Sequence, residues 1–246
     1  MFKINTKYPS DPSNYRERNG ANAEWLVMHY TANPKSTAAG EAKYRMTPGI
    51  GTGFHLVVDD SECYLSTPIE KSAQHCGGGL QGTNGHAFYK KCMNANSIGI
   101  EMCCRQDESG KWYITEETYK MAVQAAAWVC ETYTIDPSHI IRHYDVTGKI
   151  CPRPWVEDES KYHNFIAEVS DLIDYKTFCK FMTAWLEEQN KKGPKDYQME
   201  ALVWADQNGL MKGDTSGNQM PQGLVTRGDL AVLLDRYDAY RINDEE

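Results

Sequence analysis

Short apolar runs in the first two thirds of the chain alternate with segments that have helical spacing. The runs Trp25–Tyr30, 54–58 and 97–103 are rich in strand-forming residues, so we expect each to be a buried strand. Segments 115–133 and 161–173 place apolar residues along one side of a helix. This alternation predicts an α/β domain of about 170 residues.

Towards the C-terminus the pattern becomes wholly helical. Amphipathic segments 178–189 and 199–208 predict two helices, and a third is expected to begin at an N-cap, Thr226. We therefore expect two domains, an α/β domain over residues 1–173 and a small all-helical module over residues 174–246.

Composition and charge narrow the class of protein. The chain has 246 residues, 41% hydrophobic and 24% charged, as in ordinary globular proteins. A formal net charge of −8 disfavours a nucleic-acid binder. No apolar run is long enough to span a membrane. Residues 1–22 lack the apolar core of a signal peptide, so we expect a protein made in the cytoplasm that does not leave by its own signal. Most of its eight cysteines should then be reduced.

Two histidines and a cysteine stand at or just after the ends of expected strands. His29 lies near the end of the first strand, His143 follows a short strand at 140–141, and Cys151 lies farther along the same loop. Two imidazoles and a thiolate suit zinc, with the fourth tetrahedral position open for water as in catalytic sites. Judged by spacing alone, residues of these types are more often structural, with each histidine hydrogen-bonded in the core and the cysteine buried as a small hydrophobic residue.

Three segments together resemble a known family. Val-Met-His-Tyr-Thr at 27–31, Ser-Ile-Gly-Ile-Glu at 97–101 and Arg-His-Tyr-Asp-Val-Thr-Gly-Lys-Ile-Cys-Pro at 142–152 resemble the zinc-dependent type-2 N-acetylmuramoyl-L-alanine amidases. That family includes many phage lysins and shares its fold with animal peptidoglycan-recognition proteins. The resemblance covers residues 22–173 and implies a central mixed β-sheet flanked by helices, with zinc in a surface groove.

The resemblance also implies roles for individual residues. The zinc ligands would be His29, His143 and Cys151, and the catalytic base would be Glu101. Binding-only relatives typically lack the thiolate or carboxylate ligand, so Cys151 favours an enzyme. Lys149 matches the catalytic lysine of those members that have one, and it would stabilise the developing oxyanion.

Each of these assignments has a structural alternative. Glu101 ends an apolar strand, where a carboxylate without a task is costly to bury, but it could pair with Arg105 or be solvated. Lys149 could be an ordinary exposed loop lysine. Asp145 could orient a ligand histidine or make a local turn bond. For His55 we expect a structural hydrogen bond, since a fourth protein ligand would block water.

Three further residues are expected to contact substrate. His75 resembles a family histidine that lines the substrate groove, although it could be a plain loop histidine. Asn96 would contact glycan or peptide, or would only cap its loop. Phe54 stands where some members have a catalytic tyrosine; a phenyl ring has no hydroxyl, so more of the chemistry would depend on Glu101.

The C-terminal module carries a second resemblance. Segments 201–214 and 224–236 resemble one S-layer homology module, a family that implies anchoring to cell-wall polymer. Such modules usually act in sets of three, and the chain has one. We expect residues 174–246 to bind a secondary cell-wall polymer.

These resemblances predict a peptidoglycan hydrolase that cleaves the amide between N-acetylmuramic acid and the L-alanine of the stem peptide. The expected setting is a phage endolysin that acts at the bacterial cell wall after holin-mediated release. The alternatives are a bacterial autolysin or cell-wall recycling amidase, a non-catalytic peptidoglycan-recognition protein, and a cysteine hydrolase that uses Cys76 with a histidine.

Overall fold

The computed structural model describes residues 2–191, 196–210 and 230–237. The chain divides into two compact units, Met1–Asp174 and Tyr175–Glu246. Among the described helices, none has both the length and the apolar composition that crossing a membrane requires.

The secondary structure of the described residues is as follows. The strands are β1 (Ile4–Asn5), β2 (Tyr15–Glu17), β3 (Trp25–Tyr30), β4 (Leu56–Val58), β5 (Cys63–Leu65), β6 (Lys71–Ala73), β7 (Ser97–Met102), β8 (Arg105–Gln106), β9 (Trp112–Tyr113) and β10 (Ile140–Arg142). The helices are α1 (Ala38–Arg45), α2 (Glu116–Tyr133), α3 (His143–Thr147), α4 (Arg153–Val156), α5 (Glu159–Lys191) and α6 (Asp196–Gln207). Residues 230–237 are also helical, and 3₁₀ turns lie at Pro12–Asn14, Asn94–Asn96 and Pro137–His139.

A six-stranded mixed sheet lies at the centre of the first unit, in the order β1-β5-β4-β7-β3-β10. The neighbours β4, β7, β3 and β10 are parallel, whereas β5 is antiparallel to β4 and parallel to β1. Apolar side chains of the central strands are buried on both faces, which is why these strands are nearly continuous apolar runs in the sequence. The expected α/β domain with a central mixed sheet is confirmed.

Successive residues of the central strands alternate between the two faces of the sheet. Leu26 and Met28 of β3 pack in the main core, together with apolar side chains of α2 and α5. Val27, between them, packs on the opposite face in a smaller cluster. His29 therefore projects from the same face as Val27, away from the main core.

Helix α2 forms where the sequence supplies both its cap and its apolar face. The side chain of Thr115 accepts a hydrogen bond from the Thr118 backbone N–H, and two glutamates occupy the first turn. The helix ends at Thr134, which adopts the left-handed conformation with φ 56°. Its alanine-rich face packs closely on the sheet, opposite the face that carries His29.

One expectation about the helices was wrong. Residues 161–173 and 178–189 were expected to form separate helices, but both lie within α5. No proline or glycine separates them, so the change of composition near residue 174 does not break the helix. Thr226 and residues 211–229, which carry much of the second resemblance, lie outside the described residues.

Candidate metal centre and active site

The carboxyl ends of β3, β7 and β10 bring three chemically important residues to one level of the sheet. His29 of β3 and Glu101 of β7 are direct partners in the parallel register. Arg142, the last residue of β10, pairs with Met28, so His143 follows at the level of His29. Because paired residues project from the same face, these side chains share one side of the sheet.

Cys151 completes a compact cluster with the two histidines. The metal-ligating atoms of His29, His143 and Cys151 all lie within 4.8 Å of one another, and all three residues are buried. His29 Nδ1 is 3.7 Å from Cys151 Sγ, and the two imidazole rings meet edge to face with centroids 4.8 Å apart. Two imidazoles and one sulfur are a donor set found in catalytic zinc sites, in which the fourth position is taken by water or substrate.

The state of these side chains fits a metal ion. Both ring nitrogens of His143 are shielded from solvent and have no hydrogen-bond partner among the described residues, a rare condition for buried polar atoms. Burial lowers the pKa of His143 to about 3 and holds that of His29 well below its usual value, so both imidazoles have lone pairs to donate. Burial raises the pKa of Cys151, so a thiolate there requires a cation beside it.

The loop that carries His143 is held by the buried guanidinium of Arg142. Its Nε and Nη2 atoms donate to the two carboxylate oxygens of Asp145 at 3.0 and 2.8 Å, and Nη1 donates to the Trp155 carbonyl at 3.1 Å. The guanidinium also lies 4.3 Å from the ring centroid of Tyr162. Of the two roles considered for Asp145, the structure shows the local bond. Asp145 therefore holds the loop through Arg142 and makes no hydrogen bond to the imidazole of His143.

The long glycine-rich loop supports the same region from outside. Gln81 donates its backbone N–H to the Thr147 carbonyl at 2.7 Å. A Cβ atom on Gly82 would lie 2.6 Å from the carbonyl oxygen of Gly148, so the two backbones meet at a distance that only glycine allows. The loop expected at 76–96 is thus packed against the residues that lead to Cys151.

Glu101 is a partly buried carboxyl group without a partner for its inner oxygen. Its Oε2 atom is shielded from solvent and has no hydrogen bond among the described residues. Burial raises the pKa of Glu101 to about 7, opposed mainly by the positive charge of Arg45. The alternative of pairing with Arg105 is not supported, because Arg105 forms its ion pair with Asp60 at 3.5 Å.

Lys149 lies at the edge of a pocket beside the cluster. Its side chain is exposed, and with His143, His75 and Thr52 it lines a cavity of about 330 Å³. The pocket reaches the side chain of His143, although the two ring nitrogens themselves are shielded. The arrangement thus brings together the expected metal ligands, a buried carboxyl and an exposed ammonium group.

Two of the residues expected to contact substrate have other partners. His75 is buried, and its Nδ1 lies 3.0 Å from His29 Nε2. Asn96 caps its own loop, since its Oδ1 accepts the Met93 backbone N–H at 2.7 Å and its Nδ2 donates to the Lys91 carbonyl at 2.9 Å. Neither arrangement requires a substrate.

The structure does not place Phe54 where it could touch a substrate. Only 1% of its surface is exposed, and it packs in a core cluster with Ala38 and Val57. His55 makes the expected structural hydrogen bonds: its Nδ1 accepts the Gly99 backbone N–H at 2.9 Å, and its Nε2 lies 3.0 Å from the Lys71 carbonyl.

Sequence reasoning missed Arg45, the last residue of α1. Its Nη1 donates to the carbonyl and hydroxyl oxygens of Thr52 at 3.1 and 2.7 Å, and its guanidinium lies over the Phe54 ring. Its influence on Glu101 depends on tertiary packing alone, so a helix-ending arginine carried no signal in the sequence. Cys76, the nucleophile of the rival cysteine mechanism, is buried in an apolar cluster with Cys92 and lies outside the cluster of His29, His143 and Cys151.

The residues of this cluster lie within a segment that matches a known family. The model of the family described as N-acetylmuramoyl-L-alanine amidase matches residues 19–154, which include His29, Glu101, His143 and Cys151. The chain belongs to the N-acetylmuramoyl-L-alanine amidase family.

Individual members of the family show how far the likeness extends. The amidase CwlL of Bacillus licheniformis is 33% identical over 193 residues, covering 74% of this chain and 52% of CwlL. The amidase BlyA of Bacillus subtilis is 32% identical over 161 residues, covering 63% of this chain and 43% of BlyA. The chain thus spans about half the length of these relatives.

Two solved structures share the fold over about 70% of this chain. The PlyG catalytic domain aligns with a TM-score of 0.55 at 26% identity, covering 69% of this chain and 94% of that domain. The Staphylococcus aureus hydrolase AmiA, solved in complex with its ligand, aligns with a TM-score of 0.55 at 19% identity over 71% of this chain and 85% of AmiA. The second of these likenesses concerns the fold alone.

The Arg142 contacts predict a large stability difference between two arginines of similar sequence position. Arg142→Met should lower the free energy of unfolding by about 3 kcal/mol, because it removes the guanidinium partner of the Asp145 carboxylate, whose side chain is only 13% exposed. Arg153→Met is the matched control; its pair with Glu157 is 46% exposed on both sides, so its loss should cost under about 1 kcal/mol. Chemical denaturation measures both, and equal losses would contradict the buried role of Arg142.

The buried Glu101 carboxyl predicts a pH dependence for the metal-free protein. A folded-state pKa near 7, against the usual 4.5, means that the folded protein favours the neutral carboxyl. The neutral carboxyl therefore stabilises the fold fully below pH 4.5, and this stabilisation is lost as the pH rises to 7. Relative to Glu101→Gln, the free energy of unfolding of the unaltered protein should fall by up to about 3 kcal/mol over this pH range.

A second glutamate provides a control of opposite sign. Lys120 lowers the pKa of Glu116 through a surface hydrogen bond. The ionised Glu116 therefore stabilises the fold above pH 4.5, and this stabilisation is lost as the pH falls. Urea unfolding at several pH values, with Glu116→Gln beside Glu101→Gln, should give pH dependences of opposite sign. The same sign in both variants would contradict the burial of Glu101.

Proposed function

We propose that this chain is a zinc-dependent peptidoglycan hydrolase. It cleaves the amide between N-acetylmuramic acid and the L-alanine of the stem peptide. The observation that carries the proposal is the buried cluster of His29, His143 and Cys151, with the unpartnered Glu101 beside it, inside the segment that matches the amidase family. The names of the relatives point to the same reaction, although the chain spans only about half of their length.

The residues around the pocket divide the chemistry between them. When bound, zinc supplies a water of lowered pKa and polarises the substrate carbonyl. Glu101 accepts the proton of the attacking water at its unpartnered Oε2 and returns it to the amine of the departing L-alanine. Lys149 lines the pocket, and its ammonium group stabilises the negative charge that develops on the carbonyl oxygen. With Phe54 in the core, no tyrosine-like hydroxyl assists at that position.

The biological setting is part of the proposal, and similar proteins support it. A Bacillus subtilis endolysin is among the similar solved structures. We infer that this chain is a phage endolysin that acts at the cell wall after holin-mediated release, with a bacterial autolysin or recycling amidase as the alternative. A non-catalytic recognition protein is less consistent with a complete set of Cys151 and Glu101. Residues 174–246 would act as an S-layer-homology-like anchor to a secondary cell-wall polymer.

The proposed reaction is tested by digestion of purified Gram-positive cell walls with and without a chelator. The expected result is a turbidity loss that the chelator stops and zinc restores, with stem peptides beginning at L-alanine found by mass spectrometry. No release from several wall types would point to recognition without cleavage. Release at another bond would reject the assigned chemistry.

Single substitutions separate metal binding from catalysis. Cys151→Ser should lose zinc and activity together, since the thiolate is one of the three protein ligands. Glu101→Gln should keep zinc and lose about 10²–10⁴-fold in rate, because the base is removed. Metal analysis and hydrolysis rates measure the two effects. Full activity in Glu101→Gln would mean that another group is the base.

The anchoring role of the C-terminal unit is tested by truncation after Lys191, which keeps α5 whole. We expect the truncated protein to pellet less with cell walls and to hydrolyse soluble muropeptide fragments at the original rate. Wall binding equal to that of the full chain would reject the anchor.

A further inference from the structure

His75 contacts a metal ligand rather than solvent. Its Nδ1 atom lies 3.0 Å from Nε2 of His29, and only 9% of its surface is exposed. Between two neutral imidazoles, one nitrogen must donate the proton and the other must accept it. The direction of this hydrogen bond decides which nitrogen of His29 has a free lone pair.

The contacts of Ser97, on the other side of the His75 ring, set the direction of this hydrogen bond. Ser97 Oγ lies 2.6 Å from the Met93 carbonyl oxygen and 3.1 Å from His75 Nε2. A carbonyl oxygen only accepts, so the Ser97 hydroxyl donates its single proton to Met93 and accepts from His75 Nε2–H. With the His75 ring proton on Nε2, its Nδ1 accepts from His29 Nε2–H. The free lone pair of His29 therefore lies on Nδ1, the atom 3.7 Å from Cys151 Sγ.

The surroundings hold the His75 ring in this position. Its backbone N–H donates to Asn94 Oδ1 at 3.0 Å. The ring lies over Gly99 of β7, where a Cβ atom would stand 2.7 Å from His75 Nδ1. Any side chain at position 99 would displace the ring, so the strand itself leaves room for the contact with His29.

We propose that His75 and Ser97 are positioning residues that hold His29 in the tautomer with a free Nδ1, so that this zinc ligand is ready before the metal arrives. The proposal rests on the proposed zinc function of the site. The opposite tautomer would direct a proton at the metal and would have to be reversed on binding. We call the hydrogen-bonded chain from Met93 through Ser97 and His75 to His29 the relay. Both ring nitrogens of His75 are occupied in it, so His75 acts on the metal ligand, whereas the sequence led us to expect contact with the substrate.

The first test measures the tautomer in the metal-free, full-length chain. Long-range ¹H–¹⁵N correlation spectra near pH 8, with His29 assigned by comparison with His29→Gln, report which nitrogen carries the proton. The relay predicts a proton on Nε2 and a bare Nδ1. A proton on Nδ1 of His29 would overturn it, whether or not the chain binds zinc.

The second test measures zinc affinity by competition with a chromophoric chelator. Ser97→Ala and His75→Leu should each weaken zinc binding by about 10–100-fold, the usual effect of removing a partner of a metal ligand. Ser97→Thr keeps the hydroxyl, and His75→Gln keeps an acceptor for His29 and a donor for Ser97. Both conservative variants should recover most of the affinity and the Nε2–H tautomer.

Cys76→Ala is the matched control. Its Sγ also contacts Ser97 Oγ, at 3.5 Å, but it lies outside the relay, so zinc affinity should be unchanged. Thermal unfolding confirms that each variant is folded. Unchanged affinity in Ser97→Ala and His75→Leu, with normal binding by the unaltered chain, would overturn the relay and leave the zinc site intact. Failure of the unaltered chain to bind zinc would reject the proposed function, while the tautomer still decides the relay.

Discussion

The parallel pairing of β3 with β7 and β10 is the constraint on which the site depends. It sets His29 directly beside Glu101 and brings His143 to the same level at the end of the neighbouring strand. Because side chains alternate between faces, a slip of one residue in either pairing would send a ligand or the carboxyl into the main core. The apolar residues between them, such as Met28 and Ile100, hold this register by packing against α2 and α5. The same alternation that forms the core therefore also positions the chemistry.

The site combines features that are unfavourable for a folded protein without a metal. The ring nitrogens of His143 and one oxygen of Glu101 are buried without hydrogen-bond partners in the part of the chain that the structure describes, and only 2% of the Cys151 surface is exposed. Unsatisfied buried polar groups each cost about 1–3 kcal/mol, so such a cluster must be held by its surroundings. The buried Arg142 guanidinium provides part of that support by fixing the start of the loop through Asp145. Metal binding would satisfy one ring nitrogen of His143 and the sulfur of Cys151, which is why stability and zinc affinity should be coupled in this unit.

Much of this arrangement could be predicted from the sequence, and the failures have physical reasons. The runs Trp25–Tyr30 and 97–103 predicted buried strands, and polar residues at their ends indicated where a site would form. Phe54 was misjudged because its position in the chain does not reveal which face it takes; it packs under α1. The single helix α5 was divided because a change of composition was taken as a boundary, although the segment contains no helix breaker. Arg45 and Ser97 act through contacts between distant segments, for which local patterns have no signature.

The long loop before β7, residues 76–96, makes contacts that reach both histidine ligands, although it contains neither of them. At its start, the backbone of Gln81 bonds to Thr147, in the short helix that begins at His143. At its end, the Met93 carbonyl accepts from Ser97 and so determines the proton order that runs through His75 to His29. A buried polar chain is stabilising only when every member is satisfied, and this one ends on a main-chain carbonyl that cannot reverse its role. The contacts at the two ends of this loop therefore affect the geometry of one ligand and the tautomer of the other, although most residues between them are exposed or half-buried.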